Sequence, residues 1–261
     1  MNDLNGKVAL ITGASSGIGE ATAILFARCG AKLSLTGRNE VNLQRVGDEC
    51  VRVGPANPER PLLVIAELTR EADVTNLVDA TVKKFGRLDI LVNNAGTAKL
   101  GTIETTSLEQ YDHVMNVNVR SAFHLTMLCV PHLIATRGNI VNVSSVGGTR
   151  PLAGFLVACM SKSAMDQMTG CTALELASKG VRVNSVNRGV IDTGSLTRMV
   201  GMSDEEYAKF IEHHKETHPL GRVGDADEMA QAIAFLASNS ASFITGEHLH
   251  VDGGWHATCL R

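Results

Sequence analysis

Val8-Ala9-Leu10-Ile11-Thr12-Gly13-Ala14-Ser15-Ser16-Gly17-Ile18-Gly19 is the stretch on which the reading of this 261-residue chain turns. An apolar, partly β-branched run passes into a glycine-rich turn and then into a helical pattern lasting to about Cys29, where Gly30 stops it. Glycines at such a turn let the backbone approach an anion closely, while the amides and dipole of the helix start stabilise its charge. The spacing Gly-x-x-x-Gly-x-Gly departs from the common dinucleotide fingerprint, and it lacks the Gly-Lys-Ser/Thr of a triphosphate loop.

Outward from this turn, short apolar runs alternate with longer helical patterns, the signature of βαβ units and a parallel sheet. Strands are predicted at 8–11, 32–36, 62–66, 88–92, 139–143, 181–186 and 248–251, with helices at 18–29, 40–53, 71–85, 108–136 and 156–178. The expected fold is α/β, a single domain over residues 1–261. Segment 190–225 breaks the rhythm with glycines, the acidic run Asp204-Glu205-Glu206 and no strand pattern. It follows the sixth strand at the edge where open α/β sheets bind ligands, so it is a candidate substrate lid, with a surface helical hairpin as the alternative. Its Met199, Met202, Tyr207, Phe210 and Ile211 suit either an apolar ligand or the packed face of a helix.

Composition narrows the function. A net charge of −3 and 4% aromatic residues argue against nucleic acid as a partner. No apolar stretch approaches the ~20 residues of a membrane helix, and no leader pattern opens the chain; a soluble cytoplasmic protein is expected. The six cysteines, at 29, 50, 129, 159, 171 and 259, lie mostly within apolar runs and read as buried thiols. His213, His214 and His218 share a helix face, but no third ligand type accompanies them, so a solvated face is expected and no metal.

The end of the second strand distinguishes the two nicotinamide cofactors. A carboxylate there hydrogen-bonds a ribose; this chain has Thr36-Gly37-Arg38-Asn39. Arg38 suits a 2′-phosphate through charge-assisted hydrogen bonds, so NADP is preferred over NAD.

These residues, together with Asn93-Asn94-Ala95-Gly96, Asn116-Val117-Asn118, Val143-Ser144-Ser145, Ser161-Lys162 and Val251-Asp252-Gly253-Gly254, resemble the short-chain dehydrogenase/reductase family over nearly the whole chain. The resemblance implies a doubly wound Rossmann domain with a seven-stranded parallel sheet, helices on both faces, and a homotetramer built partly by helices 108–136 and 156–178. It implies that Gly13, Ser15, Ser16, Gly17, Ile18 and Gly19 line the pyrophosphate and adenosine. Arg38 meets the 2′-phosphate, Asn94, Ala95 and Gly96 border the adenine ribose, and Thr193 holds the nicotinamide carboxamide. Ser145 holds the reacting carbonyl or alcohol, Lys162 binds the nicotinamide ribose, and Asn118 supports a water relay.

One position departs. The family pattern is Tyr-x-x-x-Lys on one helix, and four residues before Lys162 stands Ala158. Tyr111 and Tyr207, the two tyrosines of the chain, belong to other elements. The expected consequence is an NADP-dependent carbonyl/alcohol oxidoreductase without its proton donor. Cys159, next door, projects about 100° around the helix and is a poor substitute. Asn187-Arg188-Gly189 replaces the usual Pro-Gly after the sixth strand, and Glu67 replaces an aspartate near the adenine. Arg188 suits a cofactor phosphate or open solvent. Two readings follow: a reductase disabled by one deliberate substitution, or a natural cofactor-binding protein that serves as a binding or regulatory subunit.

Overall fold

β1 (Val8–Thr12) is buried along its whole length and builds both layers of the core by its period of two. Ala9 and Ile11 face one cluster; Val8 and Leu10 face the other. The structure is a computed structural model that describes residues 3–56, 59–194 and 201–258. Met199 and Cys259 lie outside the described residues.

α1 (Gly17–Arg28), β2 (Lys32–Gly37), α2 (Glu40–Val53), β3 (Leu62–Ile65), α3 (Glu71–Phe85) and β4 (Ile90–Asn93) form the first half. The second half holds α4 (Leu108–Met115), α5 (Ser121–Thr136), β5 (Asn139–Ser145), α6 (Leu156–Ala177) and β6 (Arg182–Arg188). β7 (Ile191–Asp192), α7 (Asp204–Thr217), β8 (Gly224–Asp225), α8 (Ala226–Ala237) and β9 (His248–Val251) complete it. Seven strands pair in parallel in the order β3-β2-β1-β4-β5-β6-β9. The chain reverses direction across the sheet between β1 and β4, so a crevice opens beyond their carboxyl ends.

Phe26 of α1, Leu43 and Val46 of α2, and Met229 and Ile233 of α8 cover one face. Leu77 of α3, Leu125 and Leu133 of α5, and Leu176 of α6 cover the other. A buried amide ladder ties the second layer to the central strands. Asn93 Nδ2 donates to Thr126 Oγ1 at 3.0 Å and to Asn142 Oδ1 at 2.9 Å, and Asn142 Nδ2 donates to Thr169 Oγ1 at 2.8 Å. α5 and α6 are thereby fixed to β4 and β5, the strands that lead to Asn94 and Ser145.

Four expectations need correction. The predicted 108–136 helix is divided by a π-helical turn, Asn116–Arg120, which contains Asn118; such turns commonly re-aim side chains. β4 starts at Ile90, whereas β5 and β6 run two residues past their expected ends, to Ser145 and Arg188, because polar residues continue their ladder. The 190–225 segment does contain strands: β7 and β8 pair in parallel, Ile191 with Gly224 and Asp192 with Asp225, and two-residue strands carry no readable period. Finally, the His213/His214/His218 face is not simply solvated. His218 is buried 5.0 Å from the Trp255 ring, and half-buried His214 stacks on Phe210 at 4.0 Å.

Among the described residues no helix is long and apolar enough to cross a membrane, and no group of three metal-ligating side chains is disposed to hold an ion. Cys50 and Cys129 are buried and reduced, but Cys171 is exposed, contrary to the expected burial, because it lies on an outer face of α6. Replacing Asn142 by Ala removes one buried hydrogen bond from each of Asn93 and Thr169 and leaves a small cavity, so denaturant unfolding should show a loss of about 2–3 kcal/mol.

Candidate active site

The glycine turn owes its shape to close contacts that no side chain tolerates. Gly13 and Gly17 adopt φ of +63° and +58°. A Cβ on Gly19 would lie 2.3 Å from the Gly13 carbonyl, and one on Gly13 would lie 2.8 Å from Asn94 Nδ2. A Cβ on Gly37 would meet Ser15 Oγ at 2.9 Å, so the end of β2 abuts the turn. The result is a cradle at the start of α1 with backbone on its floor, the donor set that an anionic pyrophosphate requires. Gly13, Ser15, Ser16, Gly17, Ile18 and Gly19 make up this turn and the start of α1, and Thr193 packs on Gly17 with its Cβ 3.3 Å from where a Gly17 Cβ would stand.

Asn94 is held by the turn after β1. Its Nδ2 donates to the Thr12 carbonyl at 2.8 Å and the Gly13 carbonyl at 3.3 Å. Thr12 Oγ1 in return accepts the amides of Asn94 and Ala95, both at 2.9 Å. These bonds lock the turn after β1 to the turn after β4.

Arg38 stands at the end of β2 with its side chain 74% exposed. Glu67, just past β3, faces it: Arg38 Nη1 lies 3.4 Å from Glu67 Oε2, while Glu67 Oε1 accepts from the Thr69 hydroxyl at 3.1 Å. The sequence placed no acid beside Arg38 in its own strand; the acid arrives from the neighbouring strand through register. The pair is exposed and weak.

Lys162, one turn beyond Ala158 on α6, donates from Nζ to the Val143 carbonyl at 2.7 Å. Its Nζ lies 3.8 Å from the point where a Gly96 Cβ would stand, so lysine and Gly96 border one space. Enclosure and the nearby charge of Arg188 lower the Lys162 pKa to about 8, with Asp166 acting in the opposite sense. Asn118 is buried and fully engaged: Oδ1 accepts from Thr97 N at 2.7 Å, and Nδ2 donates to the Thr97 carbonyl and to Ser161 Oγ, both at 2.9 Å. Ser161 Oγ also donates to the Ala158 carbonyl at 2.7 Å. Both amide hydrogens of Asn118 are therefore taken, and the side chain positions the 97 loop against α6.

Ser145 Oγ accepts from Gly147 N at 3.1 Å and reaches the Arg188 carbonyl at 3.4 Å. The two residues pair across β5 and β6. Ala158 presents only a methyl group to this region. Cys159 turns toward the loop after β5, its Sγ 3.2 Å from a notional Gly147 Cβ, and burial raises its pKa, so the thiol is a poor acid.

Two residues were underrated by sequence. Tyr207 of α7 donates its hydroxyl to Asp192 Oδ1 at 2.8 Å and accepts from Gly194 N at 3.2 Å, so it pins the loop carrying Thr193. Burial and the bond to Asp192 raise its pKa. His218 Nδ1 lies 2.7 Å from the His214 carbonyl and Nε2 accepts from Val190 N at 3.1 Å, the pattern of a neutral imidazole. A Cβ on Gly189 would lie 2.5 Å from that Nε2, which explains a glycine after Arg188. A helical spacing of three and four from Tyr207 was the available signal for this inward stripe. Phe210 and Ile211 are half-buried along it, and Met202, ahead of the helix, is half-buried too.

The lowered Lys162 pKa has a measurable sign. Between pH 8 and the ordinary lysine value the unfolded chain holds a proton that the folded chain has released, so stability rises with pH in that window. Unfolding measured from pH 7 to 10.5 should show this rise in the wild type and lose it in Lys162→Met.

With this geometry in place, comparison with other proteins is informative. Residues 13–256 match the family model described as Enoyl-(Acyl carrier protein) reductase. The chain is 38% identical over 252 residues to the 3-oxoacyl-(acyl-carrier-protein) reductase FabG of Thermotoga maritima, covering 96% of this chain and 98% of that one. It is 36% identical over 259 residues to the cyclohexanol dehydrogenase of an Acinetobacter species, with 97% and 96% covered. A crystal structure of a short-chain dehydrogenase/reductase of unknown function from Caenorhabditis elegans, solved with cofactor, superposes with a TM-score of 0.91 at 36% identity, covering 98% of this chain and 97% of that one. The sheet order, the glycine cradle and these full-length matches agree: the chain belongs to the short-chain dehydrogenase/reductase family of nicotinamide-dependent oxidoreductases.

Proposed function

We propose that this protein binds NADP in preference to NAD and is built to interconvert a ketone or aldehyde and an alcohol, with the chemical step crippled by Ala158. The observation that carries the reading is the helix face of Ala158 and Lys162: the lysine is present with a lowered pKa, and a methyl group stands one turn before it. When bound, the nicotinamide supplies or accepts the hydride. Gly13 to Gly19 hold the pyrophosphate, Arg38 holds the 2′-phosphate, and Glu67 lies toward the adenine. Asn94, Ala95 and Gly96 shape the floor beneath the ribose. Thr193, fixed by Tyr207, holds the carboxamide end, and Lys162 holds the nicotinamide ribose.

Ser145 orients the substrate oxygen. In reduction that oxygen gains negative charge, and a positioned acid must protonate it; an alanine methyl carries no such proton, and water in its place is poorly aimed. Loss of a general acid costs about a hundred- to ten-thousandfold in rate. Cofactor binding is unaffected by that loss. The folded chain is one domain, the 190–225 segment serves as the lid over the substrate, and the assembly is a homotetramer.

A second reading, a natural cofactor-binding subunit without turnover, draws on Arg188 and Glu67, since a single substitution at 158 leaves both unexplained. A paired experiment separates the two. NADPH fluorescence should report binding to the wild type, and a panel of neutral and acidic ketones should show little turnover. Ala158→Tyr should raise turnover by about a hundredfold or more. No gain despite tight NADPH binding favours the binding subunit, and brisk turnover by the unaltered chain overturns the account of the missing acid.

The cofactor preference is tested separately at the Arg38–Glu67 pair. Arg38→Ala should weaken NADPH by about ten- to a hundredfold and leave NADH unchanged. Glu67→Gln frees Arg38 and should tighten NADPH by about two- to fivefold.

A further inference from the structure

Arg188 has no part in the mechanism above, although it closes β6 directly opposite Ser145. Its side chain is half-buried and its guanidinium Nη1 donates to the carbonyl of the adjacent Gly189 at 3.1 Å. Burial lowers its pKa, the Tyr207 phenol on α7 acts in the opposite sense, and its charge is felt at Lys162 on α6, whose Nζ bonds the Val143 carbonyl two residues before Ser145. Guanidinium remains protonated under any ordinary condition. A second cation thus accompanies Lys162 at the end of β6, where Arg188 pairs with Ser145.

Of the acids near them, Asp166 accepts from Asn187 Nδ2 at 3.0 Å through Oδ2, while its buried Oδ1 has no hydrogen-bond partner, lies 3.9 Å from His248 Nδ1, and the carboxylate acts on Lys162; Asp192 holds the Tyr207 hydroxyl. Among the described residues Arg188 forms no ion pair with a carboxylate. The remaining residues, 1–2, 57–58, 195–200 and 259–261, include no Asp or Glu. Enclosed charges in folded proteins are normally paired, and two like charges at one site raise the demand for a counter-ion. The glycine cradle follows a different strand end: β1 and β6 are three strands apart in the sheet, about 14 Å at ordinary strand spacing.

We propose that Arg188, with Lys162 beside it, forms an anion subsite next to Ser145 that selects carbonyl substrates bearing a carboxylate close to the reacting carbon. The proposal rests on the carbonyl site assigned to Ser145 above. A planar guanidinium at the end of β6 takes a carboxylate through two parallel N–H···O bonds, while Ser145 on the paired strand takes the neighbouring carbonyl oxygen. Arg188 is then a specificity residue.

Benzoylformate and its methyl ester share ring and ketone and differ in charge. Each is titrated by saturation-transfer NMR and calorimetry into the protein, with and without saturating NADPH. The acid should bind about tenfold more tightly than the ester in both states, and Arg188→Gln should abolish that preference while leaving NADPH affinity within about twofold. Arg188→Lys should retain part of it. Equal binding of acid and ester to the unaltered protein overturns the proposal without recourse to any variant. So does a preference that survives Arg188→Gln, and if that variant also weakens NADPH tenfold, Arg188 belongs to the cofactor phosphate instead. Failure of NADPH to bind, with the acid preference intact in cofactor-free protein, overturns the oxidoreductase reading and leaves the anion subsite standing.

Discussion

The carboxyl edge of the sheet depends on the exchange of hydrogen bonds between Thr12 and Asn94. One hydroxyl accepts two backbone amides, and one carboxamide holds two carbonyls of the glycine turn. With Gly13 and Gly19 in direct backbone contact, the turn has a single arrangement compatible with both strands. A buried amide or hydroxyl without these partners carries a desolvation penalty, so the arrangement is enforced by the cost of the alternatives more than by the strength of any one bond. The amide ladder through Asn93 and Asn142 carries the same constraint sideways, so that α6 and its lysine are held in register with the turn.

Charge is distributed unevenly along that edge. At the β2 end, Arg38 is exposed and its pairing with Glu67 is screened by water. At the β6 end, burial lowers the pKa of both Arg188 and Lys162, and the charge of Arg188 adds to the lowering at the lysine, whose proton is the more easily lost. Around Ala158 the bonds of Ser161, Asn118 and Lys162 are all made: Asn118 to Ser161, Ser161 to the Ala158 carbonyl, and Lys162 to the Val143 carbonyl.

Much of this was legible in the sequence because the signals were periodic or backbone-driven. The apolar alternation of β1, the helices at 40–53 and 71–85, and the glycine turn each follow from local rules, and all recur in the fold. The spacing from Ala158 to Lys162 likewise fixed a shared helix face. What escaped was set by partners distant in sequence. Glu67 meets Arg38 only through the β2–β3 register, Tyr207 meets Asp192 only once the insertion folds back, and the π-helical turn at Asn118 has no compositional mark. The buried His218 was misread because its face was judged from its own helix, without Trp255 and the Val190 amide that enclose it.

The two-residue pair of β7 and β8 has a broader meaning for how such a molecule diversifies. By joining Ile191 to Gly224 and Asp192 to Asp225 it clamps the neck of the insertion, so the chain leaves and re-enters the sheet edge at one fixed point. With the neck closed, lengthening the intervening segment adds only a slowly growing closure entropy, about 0.6 kcal/mol per doubling. Sequence drift within the insertion is therefore mechanically insulated from the strands that carry Ser145 and Arg188. Selection can exchange the insertion while leaving the sheet framework untouched.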